Sequence, residues 1–469
     1  MSTGLLTRRT GGLSRPVTLE PGPGGRLKKA AHERLKSRLR EARFETDRLF
    51  ALLRGEALYE RPGIQPHRLI FFLGHLESFD WNLLCRDGLG LGPLDDRLDQ
   101  LFSAERVGLE DLCGDADPSK DDAIQWPTVA ATRAYNRRVR ATLDGALDAC
   151  AFGTRVAHPR PKDLGAVELA IEYRLMMAER IASLIHQLPH AQKKCGPLPS
   201  PWGEAPPSRF VEIAEGSTRL GLDRSTARFA WDVEYGAVDV GVPAFAIQSR
   251  NVTNDDYLRF VNEGGYTDAS LWSQSGWAWR RTSEVNHPAF WVKRDGSWKY
   301  RSMFGEVPLN GAMPVYVSHT EAEAYARWKG SRLPSEAEFH RAAFGSSEGP
   351  ERAFPWGEAD PWPSYGVFGF DRWDPAPVCS HPAGDTPNGL SDMMGNGWEW
   401  TSTQLAPFTG YEELPALKGH SAKMFEAGRY VLKGASSRTS TALVRRSFRQ
   451  AAAPHCRFSY STFRCVQGR

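Results

Sequence analysis

Four side chains in two short stretches are of types and spacings that could do chemistry. "FLGHLESFDWN" carries His75, and "IEYRLMMAER" carries Tyr173, Met177 and Glu179. Tyr173 and Met177 stand four residues apart, so on a helix they share one face about a turn apart, with Glu179 close behind. An imidazole from one helix and a phenol, thioether and carboxylate from another make an unusual donor set. Tyrosinate suits iron(III) and a thioether suits Cu(I), so a re-purposed metal centre is one reading. The other is core packing, with Met177 as a soft gap-filler, Tyr173 needing one partner for its hydroxyl, and His75 hydrogen-bonded to a carboxylate such as Glu179 or Asp80.

These residues need helices to hold them. "AAHERLKSRLREARFETDRLFALL" spaces apolar residues three and four apart with charges between, as an amphipathic helix does. "HRLIFFLGHLESFDWNLLCRD", "TVAATRAYNRRVRATLDGALDAC" and "DLGAVELAIEYRLMMAERIASLIHQL" do the same. Four such segments over residues 26–188 predict an antiparallel four-helix bundle, whose interior is where bundles place metal and cofactor sites. Residues 1–25 are expected to be a disordered N-terminus. Residues 189–209, "PHAQKKCGPLPSPWGEAPPSR", are too rich in Pro and Gly to continue a helix and form the linker. Beyond it, residues 210–469 hold short apolar runs, many Gly and most of the 15 Trp, the composition of a domain held by aromatic packing around loops. One helix there is explicit: "SHTEAEAYARWKG" opens with Ser318 as N-cap and Glu321 as its capping-box partner, and closes at Gly330.

The 59 Lys and Arg against 56 Asp and Glu exclude bulk electrostatic attraction to nucleic acid or a membrane surface. Small molecules are the expected partners. Seven scattered cysteines without paired zinc-site spacing, no apolar leader and no apolar run of spanning length predict a cytoplasmic protein.

Five pieces in order, "VTNDDYLRFV", "PVYVSHTEAEAYARWKGSRLPSEAEFHRAA", "FPWG", "NGLSDMMGNGWEWTS" and the terminal "FRC", resemble the formylglycine-generating-enzyme (sulfatase-modifying-factor) domain, a C-type-lectin-like fold. Joined to a helical bundle with "FLGHLESFDWN", the chain resembles the sulfoxide synthases of ergothioneine, ovothiol and selenoneine biosynthesis. The resemblance implies an α+β protein: a DinB-like four-helix bundle followed by the formylglycine-type domain. It implies Fe(II), dioxygen, a histidine-derived substrate and a thiol or selenium donor, joined through a C–S or C–Se bond. The family's iron is held by a histidine on an early helix and by an H-x-x-x-H-x-E pattern on a later one, since imidazoles at i and i+4 converge on one point. Carried over, the early ligand is His75 and the later pattern falls on Tyr173, Met177 and Glu179, so two imidazoles are replaced.

The same resemblance points to Tyr411 as an assisting catalytic residue and to Arg137 as an anchor for a substrate carboxylate. It puts Gln450 where a substrate-holding amide stands, with Ala451 and Ala452 in place of larger groups. It also implies a structural Ca²⁺ on Asp392, Gly395, Gly397 and Glu399, an oxygen-only set that suits the ion. The segment "GASSRTSTALVRRSFR" lacks the cysteine pair that copper-dependent formylglycine formation uses. Two readings stay open: an oxygen-dependent oxidoreductase of the sulfoxide synthase type with an altered centre, or a non-catalytic ligand-binding or partner protein that keeps the fold.

Overall fold

The computed structural model describes residues 23–63, 67–103, 124–155, 160–225, 229–346, 350–415, 420–426 and 428–468. The expected disordered stretch lies almost wholly outside them. Four long helices form the N-terminal unit: α1 (Pro23–Ala51), α2 (Leu69–Asp80), α4 (Val129–Asp148) and α5 (Leu164–Gln187), with a short α3 (Asp96–Leu101) between α2 and α4. Each long one coincides with a segment of three- and four-residue apolar spacing. α1 packs on α5 and α2 on α4, and α1 also meets α4 as α2 meets α5, so the four enclose one core. α2 is buried along its whole length and runs on into a π-helical stretch at Trp81–Arg86. Thr128 caps α4 by accepting from the Ala131 N–H.

Ionic groups hold this core from inside. The Arg174 guanidinium of α5 bonds Glu77 at 3.0 Å and Asp80 at 2.8 Å, all three residues buried. Arg140 of α4 reaches the same Glu77 at 2.6 Å and Asp47 of α1 at 2.6 Å. Two cations on one carboxylate hold Glu77 down to about 2 despite its burial.

The second unit is built from short strands and well-capped short helices. β1 (Phe210–Ile213), β4 (Phe245–Gln248) and β12 (Val466–Gly468) make one antiparallel sheet in the order β1-β4-β12. β2 (Gly216–Leu220) and β3 (Val238–Val242) form a two-stranded ribbon, and β5 (Trp291–Arg294), β6 (Ser297–Arg301) and β7 (Glu306–Pro308) a three-stranded one. The central sheet has the order β10-β9-β8-β11, from β8 (Gly397–Gln404), β9 (Tyr430–Ala435), β10 (Gln450–Ala452) and β11 (Ser461–Thr462). The helices are α6 (Asn254–Asn262), α7 (Gln274–Thr282), α8 (His319–Trp328), α9 (Glu336–Phe344) and α10 (His420–Glu426). α6, α8 and α9 each open with a reciprocal capping box, Thr253 with Asp256, Ser318 with Glu321 and Ser335 with Glu338. Gly330 follows α8 at φ +64°, the left-handed end its sequence requires.

The two units meet along one face of α5. Glu172, Glu179, Ser183 and His186 follow at intervals of seven, four and three residues, so they share a side of the helix. Each bonds to the second unit. Arg445 clasps Glu172 with two bonds of 2.9 Å and reaches Glu234 at 2.9 Å, while the Trp231 indole adds a third donor to Glu172 at 2.9 Å. The Ser183 hydroxyl donates to the Phe458 carbonyl at 2.7 Å. The His186 ring bonds the Tyr460 hydroxyl and the Arg301 carbonyl.

Among the described residues no helix is long and apolar enough to cross a membrane. Cys456 is disulfide-bonded, whereas Cys85, Cys150, Cys195, Cys379 and Cys465 are free.

Removing Arg445 leaves two carboxylates buried without their cation. Arg445→Met is expected to lower the unfolding free energy by about 3–5 kcal/mol, the cost of breaking a buried pair from one side. Glu172→Gln with Arg445→Met should cost less than the sum of the two single changes. Denaturant unfolding of the four proteins decides it; additivity would mean the clasp carries no coupling.

Candidate functional site: a buried His75–Tyr173 pair beside a cavity

His75 lies on α2 with no exposure to solvent. Its position depends on Gly74, where a Cβ would come within 2.4 Å of the Phe102 ring. The missing side chain lets Phe102 pack against α2 and brings its backbone carbonyl to His75 Nδ1 at 2.9 Å. A carbonyl only accepts, so Nδ1 carries the proton. Burial, the largest influence, pushes the ring down to about 4 and keeps it neutral. Nε2 therefore holds the lone pair.

That lone pair is taken. The Tyr173 hydroxyl stands 2.7 Å from Nε2 and donates to it, since the neutral ring offers no second N–H. Tyr173 is fixed by stacking on Phe79, ring centroids 3.9 Å apart, and burial drives its phenol well above the ordinary range, so the proton stays on oxygen. His75 finds a carbonyl and a phenol where the sequence suggested a carboxylate. Asp80 is bound to Arg174. Glu179 turns the other way, accepting from the Trp398 indole at 2.8 Å, from Thr439 at 2.9 Å and from Ser436.

The fit of this set to Fe(II) is poor on three counts. The one imidazole at the expected position has its free lone pair on a phenol proton, the thioether of Met177 is a weak donor to a ferrous ion, and the pattern's glutamate is occupied elsewhere. A fourth count is electrostatic: the Arg180 guanidinium acts on both His75 and Tyr173 as a like charge to any metal placed there. Among the described residues no group of three or more His, Cys, Asp or Glu side chains is arranged to hold a metal ion.

Next to this pair lies a cavity of about 80 Å³, between α5 and the central sheet. Tyr173, Met176, Met177 and Arg180 come to it from α5, and Trp398, Gln450 and Ala451 from β8 and β10. Phe458, Tyr460, Met424 and Arg429 close it. Gln450 and Ala451 thus both line the cavity.

Other expectations are not met. Arg137 is exposed on α4 and lines a different groove with Asp47 and Asn136. It sits on the bundle side of α5, and the cationic groups of the cavity are Arg180 and Arg429 instead. Tyr411 does not line the cavity: its hydroxyl donates to Asp232 at 3.1 Å, which also takes the Ser421 hydroxyl at 2.7 Å, so it pins the loop before α10. His186 belongs to the α5 contact face, His190 bonds the Ser302 carbonyl, and His455 stacks on Trp279 at 4.6 Å. His158 lies outside the described residues.

The residues at the expected calcium positions do not fit that ion. Glu399 gives both oxygens to Arg464, each at 2.7 Å. Asp392 accepts from the Cys379 N–H at 2.8 Å, and burial raises it to about 6. Gly397 is a strand residue paired with Ala435. A guanidinium stands where the ion's charge would be.

Residues 198–469 match the model of the sulfatase-modifying factor enzyme 1-like domain. The chain belongs to that family. It is similar to hercynine oxygenase of Mycobacterium tuberculosis, 38% identical over 51% of this chain and 56% of the relative. Ergothioneine biosynthesis protein 1 of Neurospora crassa is 23% identical over 85% of this chain and 53% of its own length. Formylglycine-generating enzyme of Bos taurus is 31% identical over 46% of this chain and 63% of its own. This family member thus spans about half the length of the hercynine oxygenase and ergothioneine relatives it matches.

Tyr173→Phe keeps the ring stack and removes one hydroxyl. It leaves His75 Nε2 buried without a donor and should cost about 1–3 kcal/mol of stability. Imidazole ¹⁵N shifts of the unmodified protein should show Nδ1 protonated at neutral pH. A proton on Nε2 would sink the assignment.

Proposed function

We propose that this chain keeps the two-domain cleft of the oxygen-dependent sulfoxide synthases with a degenerate iron position, and works as a small-molecule-binding protein. The observation that supports it is the 2.7 Å hydrogen bond from Tyr173 to His75 Nε2. It uses the one lone pair through which the early-helix histidine would reach a metal. By kinship to hercynine oxygenase and ergothioneine biosynthesis protein 1, the ligands to try first are histidine derivatives and thiol or selenium donors. Ala451 and Ala452 replace larger groups expected to hold a histidine-derived substrate, which weakens stacking and hydrogen bonding to it by several kcal/mol at most.

A re-purposed centre is the second reading. Imidazole nitrogen and phenol oxygen lie close enough for one ion to take both after the shared proton leaves, with Met177 about one turn from Tyr173 on the same side of the helix. A soft ion such as Cu(I) suits the thioether better than Fe(II) does.

Metal analysis and anaerobic Fe(II) titration separate these. The unmodified protein is expected to carry iron far below one per chain. Tyr173→His with Met177→His should raise Fe(II) affinity by at least about a hundredfold, more than the loss of a supporting outer contact usually changes. One tightly held iron per unmodified chain, with oxygen-dependent sulfur or selenium transfer to an imidazole, would overturn the proposal. Stoichiometric Cu(I) without Fe(II) would select the second reading.

A further inference from the structure

Away from α5, a second cavity of about 670 Å³ opens between the linker, the end of β4, α6 and α8. Three of its lining side chains are more than nine-tenths buried and still have donors to give: Gln248 and Arg250, each 5% exposed, and Tyr325, 2% exposed. Gln248 Oε1 accepts the Cys465 N–H at 2.8 Å. An N–H only donates, so the amide is fixed this way round and Nε2 is left to donate. Arg250 gives Nε to the Pro206 carbonyl and Nη1 to Asp256, each at 2.7 Å. Its charge is thus paired, but Nη2 finds no acceptor among the described residues. The same holds for Gln248 Nε2 and for the Tyr325 hydroxyl, whose ring is held by stacking on Tyr257 with centroids 5.4 Å apart. Buried donors without an acceptor are costly. Lining one cavity, these three suit a ligand group that only accepts, and a carboxylate offers two such oxygens.

The cavity's other charges are sorted along it. Arg259 of α6 and Lys329, just past α8, line the end that holds Tyr325: Arg250 and Arg259 both act on its hydroxyl, and Lys329 stands one turn beyond it. Neither Arg259 nor Lys329 is in an ion pair with a described residue; Lys329 lies over the Trp328 ring at 5.6 Å. Asp255 and Glu204 line the other end. The Asp255 carboxylate lies over Gly311, where a Cβ would come within 2.1 Å of it, and Glu204 follows Gly203, where a Cβ would come within 3.2 Å of the Asn310 amide. The two acids thus gather at the 310–311 turn, and they too form no ion pair with a described residue. Cations beside buried donors at one end, and carboxylates at the other, match a ligand that carries both signs. A phosphate dianion would meet the acids as like charges.

We propose that this cavity binds a small zwitterion, its carboxylate on Gln248, Arg250 and Tyr325 between Arg259 and Lys329, and its ammonium on Asp255 and Glu204. None of these residues lines the cavity beside α5, so the site stands whether or not a metal is held at His75.

The test uses the full chain. Glycine, 4-aminobutyrate and 6-aminohexanoate, a series of increasing charge separation, are titrated calorimetrically, each beside its deamino acid and its amide, with inorganic phosphate as a separate probe. At least one zwitterion is expected to bind at least about tenfold more tightly than its deamino acid and than its amide, the worth of one charge-assisted hydrogen bond. Tyr325→Phe, which keeps the ring stack, and Arg259→Gln, at an exposed position, should each weaken it by about threefold or more. Asp255→Asn should weaken the zwitterion and leave the deamino acid's binding unchanged. Binding of no zwitterion, equal binding of the zwitterion and its deamino acid or amide, tighter binding of phosphate, or zwitterion binding that none of the three variants alters overturns the proposal. The ligand comparisons need no variant, so they hold even where a substitution impairs folding.

Discussion

Everything in the site hangs on how α5 is gripped. The helix belongs to the bundle core through Arg174, yet Glu172, Glu179, Ser183 and His186 are all bonded to the second unit. Fixing both sides leaves the helix no rotation about its axis. One residue of rotation is about 100°, which would take Glu172 off Arg445 and Glu179 off Trp398 together. The directions of Tyr173, Met177 and Arg180 are therefore set by contacts they do not make themselves. A site residue on α5 can change identity without changing where it points.

The surroundings of His75 are set in the same local way. His75 keeps the posture of a ligand: its Nδ1–H is held by a carbonyl and Nε2 is aimed across to α5. Metal-bound histidines are commonly oriented by such a bond on the far nitrogen. What differs is the group that meets Nε2, a hydroxyl whose proton serves the lone pair in place of a cation. Its stacking on Phe79 makes the arrangement part of the core.

Much of the framework was legible from sequence because it rests on periodic or local signals. The four long helices came from three- and four-residue apolar spacing, and the Ser318–Glu321 box from a four-residue motif that the structure reproduces. The family match begins at residue 198, within the Pro- and Gly-rich stretch. The site was less legible, since its partners are distant in sequence. The Phe102 carbonyl that fixes the tautomer of His75 belongs to no motif, because any residue supplies a carbonyl. Glu179 looked like a neighbour of His75 from spacing alone, but its hydroxyl partners Ser436 and Thr439 lie more than 250 positions away. Arg180 and Arg137 are alike as letters. Only the packing of α5 on the second unit makes one of them line the cavity and leaves the other on the surface of α4.

The same device recurs at several buried acids. Arg174 stands between Glu77 and Asp80, Arg445 between Glu172 and Glu234, Arg449 on Glu336, and Arg464 on Glu399. Each carboxylate so bound has its oxygens committed to a guanidinium that cannot leave, whereas an ion at the same place could exchange with solvent. Removing the arginine would strand charge in the interior, so these pairs are costly to open one side at a time. With these acids spent in this way, their oxygens are not left as donors for a metal, and among the described residues no group of three or more His, Cys, Asp or Glu is arranged to hold one.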